Sequence, residues 1–300
     1  MSNFKAIIDE LAACDLKNCK HVGELLYGLH QFIKMNALNE QEKAEALAVL
    51  EQLARKLEAT GLKPSPSCCD YWDPIEKLIV ERQSDIDYTG EIVTPEYPFS
   101  FLYAVYGTLL MDCHQDTKAM EVLDKGLEWN PVNTYMLQLC AIAAMRLNDM
   151  DALYDAAMDE LTFSYTLENA ALAYWHLGSY YFVRNDFKAA YCCFYMCRAY
   201  NPVEWKMKGN DKVFDILRPY CPEFEKLRTD DAMEVFADRE IPFNRIFDMA
   251  DLLADVGTKM AEEGSLDLAW HYLSHSYDIN HNEAVGQLLL KIQSGAEKMS

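Results

Sequence analysis

Apolar residues along most of this chain recur three and four positions apart, the spacing that lines one face of an α-helix. The pattern predicts helices over about 3–14, 18–36 and 40–60. The third opens with Asn39 and Glu42 at capping-box spacing and stops at Gly61. Lys63 to Ser67 (KPSPS) then reads as a linker. Asp73, Pro74 and Glu76 supply a cap, a first-turn proline and a carboxylate at the positive end of the dipole, so another helix starts there and ends near Ser84. With only 12 glycines and 10 prolines in 300 residues, interruptions are few and the fold should be all-α.

Beyond residue 94 the pattern repeats. The first unit is marked by Tyr103, Tyr106, Gly107, Leu110, Ala119, Leu123 and Pro131. The same offsets return as Tyr174, Leu177, Gly178, Tyr181, Ala190, Phe194 and Pro202, and again as Leu253, Val256, Gly257, Met260, Ala269, Leu273 and His281. A weaker copy lies between the first two, with Leu137, Cys140, Ala141, Ala144, Leu153 and Ala157. Small residues in step on two consecutive helices let antiparallel helices approach closely while large neighbours fill the gaps. Each unit is therefore a helical hairpin, ended at Asn130-Pro131 and Asn201-Pro202 by proline. One hairpin cannot bury its own apolar face, so the units must stack.

The run Tyr174, Leu177, Gly178, Tyr181, followed at the right distances by Ala190, Phe194 and Pro202, resembles the tetratricopeptide (TPR) pattern W-x2-L-G-x2-Y, with Tyr in place of Trp. The resemblance covers about 100–204 and 250–283. It implies a right-handed α-solenoid of TPR-like hairpins with an N-terminal helical segment. The expected layout is an N-terminal bundle or cap (1–63), then a linker, short helix and acidic loop (64–99), then repeats one to three (100–204). A helical insertion or diverged repeat (205–249) follows, broken around Arg218-Pro219 and Cys221-Pro222, and a fourth repeat with a capping helix (250–300) closes the chain.

Composition narrows the functional classes. Ten cysteines in a short secreted chain would suggest disulfides, but the first residues show no basic flank, apolar core or cleavage site. A reducing, cytoplasmic setting is the expectation. No stretch approaches the roughly 20 apolar residues of a membrane span. The formal net charge is −21, from 27 basic and 48 acidic groups, with eight basic and nine acidic in residues 1–63. Such a chain repels nucleic acid and accommodates a basic or neutral partner more easily. Acidity that merely keeps an aromatic-rich surface in solution explains the charge equally well.

Candidate chemistry is sparse. Asp85, Asp87, Thr89, Glu91 (through its carbonyl) and Glu96, turning at Gly90, resemble a calcium-binding EF-hand loop. Val93 and Pro98 depart from that pattern, and an acidic connector is the competing reading. His271 and His275 share a helix face but lack the glutamate of HExxH, and nothing identifies further zinc ligands. Cys192, Cys193 and Cys197 read as small packing residues, whereas Cys68-Cys69 lies in the linker. The phosphate loop, nucleophile elbow, dinucleotide fingerprint and kinase motifs are missing, so we expect no catalytic residues and no cofactor.

In a TPR-like stack the first helix of each hairpin lines the concave face. That resemblance places Phe101, Tyr135, Gln138, Arg146, Trp175, His176, Ser179 and Phe182 in a groove suited to an apolar peptide or helix. Relatives that clamp a C-terminal carboxylate use lysine and asparagine there, and this chain has neither. The N-terminal helices could equally fold back into the groove and make its aromatic stripe ordinary core. The expected function is a scaffold that binds a polypeptide segment or another protein. The alternatives are a peptide-sensing regulator with the N-terminal bundle as effector and, last, an enzyme of unknown type.

Overall fold

The computed structural model describes residues 2–14, 19–35, 37–65, 68–82, 98–207, 210–222, 224, 228–243 and 245–296. Among them the regular structure is helical, with one isolated bridge between Ser65 and Cys68. The chain forms two compact units, Met1–Leu153 and Tyr154–Ser300. The division falls inside the weak repeat marked by Leu137 to Ala157.

In the first unit the helices are α1 (Ser2–Ala13), α2 (Cys19–Lys34), α3 (Glu40–Glu58), α4 (Pro74–Arg82), α5 (Phe99–Asp112), α6 (Asp116–Trp129) and α7 (Thr134–Leu147). The start of α3 carries the expected capping box: Asn39 accepts from Gln41 and Glu42 N–H at 3.0 Å each, and Glu42 accepts from Asn39 N–H at 2.9 Å. Gly61 follows it with φ +71°, a left-handed turn suited to glycine. Helices α2 and α3 both lie on α5, and α1 lies on both of them. The N-terminal helices thus share a core with the first hairpin, α5 and α6.

A buried polar knot fixes α4. Glu76, 1% exposed, accepts from Asn130 Nδ2 at 2.8 Å, Asn133 Nδ2 at 2.7 Å and Trp72 N–H at 2.7 Å. Ser100 Oγ donates to Asp70 Oδ2 at 2.7 Å and accepts from Trp72 Nε1 at 2.6 Å. These bonds tie residues 70–76 to the first hairpin and to the turn after it.

Helix α8 (Met150–Phe163) spans the division. The second unit continues with α9 (Leu167–Val183), α10 (Phe187–Tyr200), α11 (Pro202–Met207), α12 (Lys212–Leu217), a 3₁₀ turn (Arg218–Tyr220), α13 (Thr229–Ala237), α14 (Arg245–Glu262), α15 (Leu266–Asn280) and α16 (Glu283–Ala296). Helices α9 and α10 form one hairpin and α14 and α15 another, while α11, α12 and α13 pack on α10 and α16 packs on α15. The short helices α11 to α13 are thus applied to α10, with Arg239 bonding Asp186 at 2.7 and 3.0 Å to hold α13 in place, and the last residues of the expected 205–249 segment already belong to α14.

The repeat is visible in atomic detail. A Cβ added at Gly107, Gly178 or Gly257 would meet Leu123, Phe194 or Leu273 at 2.6 to 2.7 Å, the same contact three times. Seven residues after each small position the backbone turns left-handed, at His114, Asn148, Asn185 and Gly264. The following N–H reaches back five residues in every case. Gln115 bonds Leu110, Asp149 bonds Ala144, Asp186 bonds Tyr181 and Ser265 bonds Met260, at 2.9 to 3.0 Å. This is one helix-ending turn made four times.

Candidate functional site

The eight residues expected to line a groove divide four to each unit. In the first, Phe101 and Tyr135 lie under the chain's own elements. His30 of α2 sits 2.9 Å from the Tyr135 hydroxyl, Lys34 lies over its ring at 5.1 Å, and Trp72 meets Phe101 edge-on at 5.1 Å. Burial pushes the His30 imidazole down to about 4, so at neutral pH it is a neutral packing partner. Of the two arrangements the sequence left open at Phe101 and Tyr135, a free groove or one occupied by N-terminal helices, these contacts are of the second kind, with α2 and Trp72 packed on the two rings. Arg146 braces the α5–α6 turn, bonding Met111 O at 3.0 Å and Asp116 at 3.1 Å. Gln138 is half-buried on α7.

In the second unit His176 is core, not groove wall. It is 2% exposed, and its Nδ1 lies 2.7 Å from the fully buried Glu160 of α8. Burial pushes the Glu160 carboxyl up, opposed by the His176 imidazole. Trp175 is half-buried against Phe194 at 5.1 Å and Trp205 at 5.9 Å. Ser179 donates to Trp175 O at 2.9 Å, and Phe182 rests 6.0 Å from Phe187. The insertion supplies Trp205, so it covers part of the stripe the sequence left open.

The acidic-loop residues Asp85, Asp87, Thr89, Glu91 and Glu96 lie outside the described residues. His271 and His275 lie with ring centroids 4.7 Å apart and planes tilted by 59°. Among the described residues no group of three or more His, Cys, Asp or Glu side chains is placed to hold a metal ion. Cys192, Cys193 and Cys197 are buried on α10. Burial pushes the Cys192 thiol up to about 12, which keeps it protonated and unreactive. No described helix is long and apolar enough to cross a membrane.

A different surface stands out in the second unit. Phe187, Tyr191 and Tyr195 recur every four residues along α10 and are all half-buried. Tyr220 of the 3₁₀ turn packs against Phe187, ring centroids 4.2 Å apart and planes tilted by 31°, yet remains 59% exposed. Phe214 of α12 meets Tyr191 at 4.9 Å, and Arg198 lies over the Phe214 ring at 4.6 Å. Val183 and Ile216 add exposed aliphatic area at 53% and 55%. Tyr220 directly follows Pro219 in the segment the sequence assigned to an insertion, and no repeat motif marks these side chains.

No family model matches the chain, and no curated protein matches it. Among solved structures it is similar to a chain of the crystal structure titled APC/C hetero-tetramer Cut9-Hcn1, at 13% identity and a TM-score of 0.25. The match covers 92% of this chain and 53% of that one, so this chain spans about half the length of its neighbour.

Proposed function

We propose that this protein is a scaffold of TPR-like hairpins that binds a polypeptide segment, and that the second unit does so on the aromatic face of α10, α12 and the 3₁₀ turn. The observation that carries the reading is Tyr220, packed against Phe187 with ring centroids 4.2 Å apart but mostly in solvent, four residues after the exposed Ile216. Aromatic side chains held rigid by packing yet open to solvent are the usual anchors of protein interfaces, because they bury large area with little loss of rotamer freedom.

The test is affinity capture with wild type and the Ile216→Ala, Tyr220→Ala double variant, both checked for equal helicity by circular dichroism. Loss of a reproducible set of partners from the variant is expected. Identical partner lists would refute the assignment of this face. Tyr135 is unsuitable for such a test, since its removal would undermine the packing of α2 on α5 and α7.

A further inference from the structure

The helix that covers Phe101 and Tyr135 is seated through a histidine. Val22, Leu25, Leu26, Leu29 and Ile33 form the buried face of α2, while Lys20 and Glu24 stay exposed. His30 lies with the buried face, 6% exposed, its ring 5.5 Å from Tyr135 and 6.3 Å from Phe101. The hydrogen bonds fix its tautomer. Thr108 Oγ1 donates to Ala104 O at 2.7 Å, so it accepts from the Tyr135 hydroxyl at 3.2 Å, and the Tyr135 oxygen in turn accepts from His30 Nε2–H at 2.9 Å. The neutral ring therefore keeps its lone pair on Nδ1, where a second proton must go. Among the described residues none bonds that nitrogen.

A protonated His30 would be a buried cation beside another cation. The charge that reaches its imidazole is Lys34, one turn on, whose ammonium lies over the Tyr135 ring at 5.1 Å. Charged groups on the elements packed round α2 are engaged elsewhere. On α1, Lys5 pairs with Asp9 and Glu45, and Glu10 lies 3.7 Å from His21. Asp112 of α5 pairs with Lys43 at 2.9 Å, Arg146 of α7 bonds Asp116, and Asp70 accepts from Ser100 Oγ and N–H. The Tyr135 phenol is pushed up by burial and stays neutral. Burial first and Lys34 second lower the His30 pKa from 6.5 to about 4. The stability this contact lends α2 is thus complete above 6.5 and is lost as pH falls from 6.5 toward about 4.

We propose that His30 is an acid-sensitive latch: α2 stays seated on Phe101 and Tyr135 while the imidazole is neutral, and protonation releases α2 and bares the two rings. Helix α3 has its own ties to the α5–α6 hairpin, Lys43 to Asp112 and Lys125 to Glu58 at 2.6 Å, and these do not involve the imidazole. Release therefore moves α2 and leaves α3, α5 and α6 in place. The rings uncovered are those the sequence assigned to a peptide groove, so acid turns a groove filled by the chain itself into an open one.

Hydrogen exchange read by mass spectrometry at pH 7 and pH 5, corrected for intrinsic exchange, tests the latch on wild type and on His30→Gln, whose amide keeps a donor for Tyr135 but does not titrate. A histidine lowered from 6.5 to about 4 makes release about twentyfold more favourable at pH 5 than at pH 7. Protection across α2 should fall by that factor in wild type and hold level in the variant, while protection across α5 and α6 holds in both. Binding of the apolar dye bis-ANS should rise at pH 5 in wild type alone. Should His30→Gln fail to fold, His30→Phe serves as the variant that cannot titrate. Equal loss of protection in wild type and variant, no loss in wild type, or a loss that spreads evenly to α5 and α6 would each overturn the proposal. So would release of α2 without a rise in dye binding.

Discussion

At the scale of single residues, the glycines of the repeat are the sharpest probes of hairpin packing. Gly178 faces the Phe194 ring, with three ring carbons 2.7 to 3.0 Å from the place a Cβ would occupy, and Gly257 faces both the Leu273 side chain and its backbone nitrogen. Neither an aromatic ring nor a backbone can yield as a leucine tip can. Gly178→Ala and Gly257→Ala should therefore each cost about 1–3 kcal/mol, the usual penalty for overpacking. Gly107→Ala presses mainly on the Leu123 side chain and should cost less. Gly23, inside α2, has nothing within 4 Å of the same position, so Gly23→Ala should stabilise by up to about 1 kcal/mol through helix propensity alone. Urea denaturation of the four variants checks the ranking; equal effects at all four sites would mean the hairpins do not approach as closely as described.

At the scale of elements, α4 is held by one buried carboxylate, and its energetics depend on pH. Glu76 receives donors on both oxygens, and burial still pushes its pKa above 4.5 against the bonds from Asn130, Trp72, Asn133 and Asp73. Asn133 cannot turn its amide to suit a new partner without giving up the bond its Oδ1 accepts from Met136 N–H, which caps α7. Glu76→Gln would set donor against donor at Asn133 and should cost about 1–3 kcal/mol. A carboxyl raised in the folded state contributes stability that is complete below its unfolded pKa and is lost as pH rises through the folded value. The stability gap between wild type and Glu76→Gln should thus widen as pH falls from neutrality toward 4.5. Thermal melts across that window would show a constant gap if the carboxyl were not raised. The capping box at Asn39 and the start of α4 at Pro74 were legible in the sequence because both are local signals. The knot itself was not, since Glu76 meets residues more than fifty positions away and a carboxylate near a helix start reads as an ordinary dipole contact. The same limit explains the groove: Phe101, Tyr135 and His176 have the right helical phase, but what covers them comes from α2, residue 72 and α8.

At the scale of the whole molecule, the hairpins were legible because small residues and proline recur at fixed offsets, and even the weak copy at Leu137 carries the left-handed turn, at Asn148. The cover on the hairpins was not, because α2, α3 and the short helices after Pro202 follow no repeat. Charge was legible in total, and the total makes a prediction. Residues 1–153 carry 13 basic and 24 acidic groups and residues 154–300 carry 14 and 24, so each unit bears about half of the net −21 and repels itself. Most ion pairs are exposed, such as Arg55 with Glu51 and Lys125 with Glu58, and pairs of that kind contribute little to stability. Self-repulsion acts over longer distances and is screened strongly when the Debye length shrinks from about 30 Å at 0.01 M to about 8 Å at 0.15 M salt. Potassium chloride over that range should raise the melting temperature by a few degrees, since screening removes more repulsion than attraction. A melting temperature that falls with salt would mean that the ion pairs, for all their exposure, outweigh the repulsion of an excess of 21 negative charges.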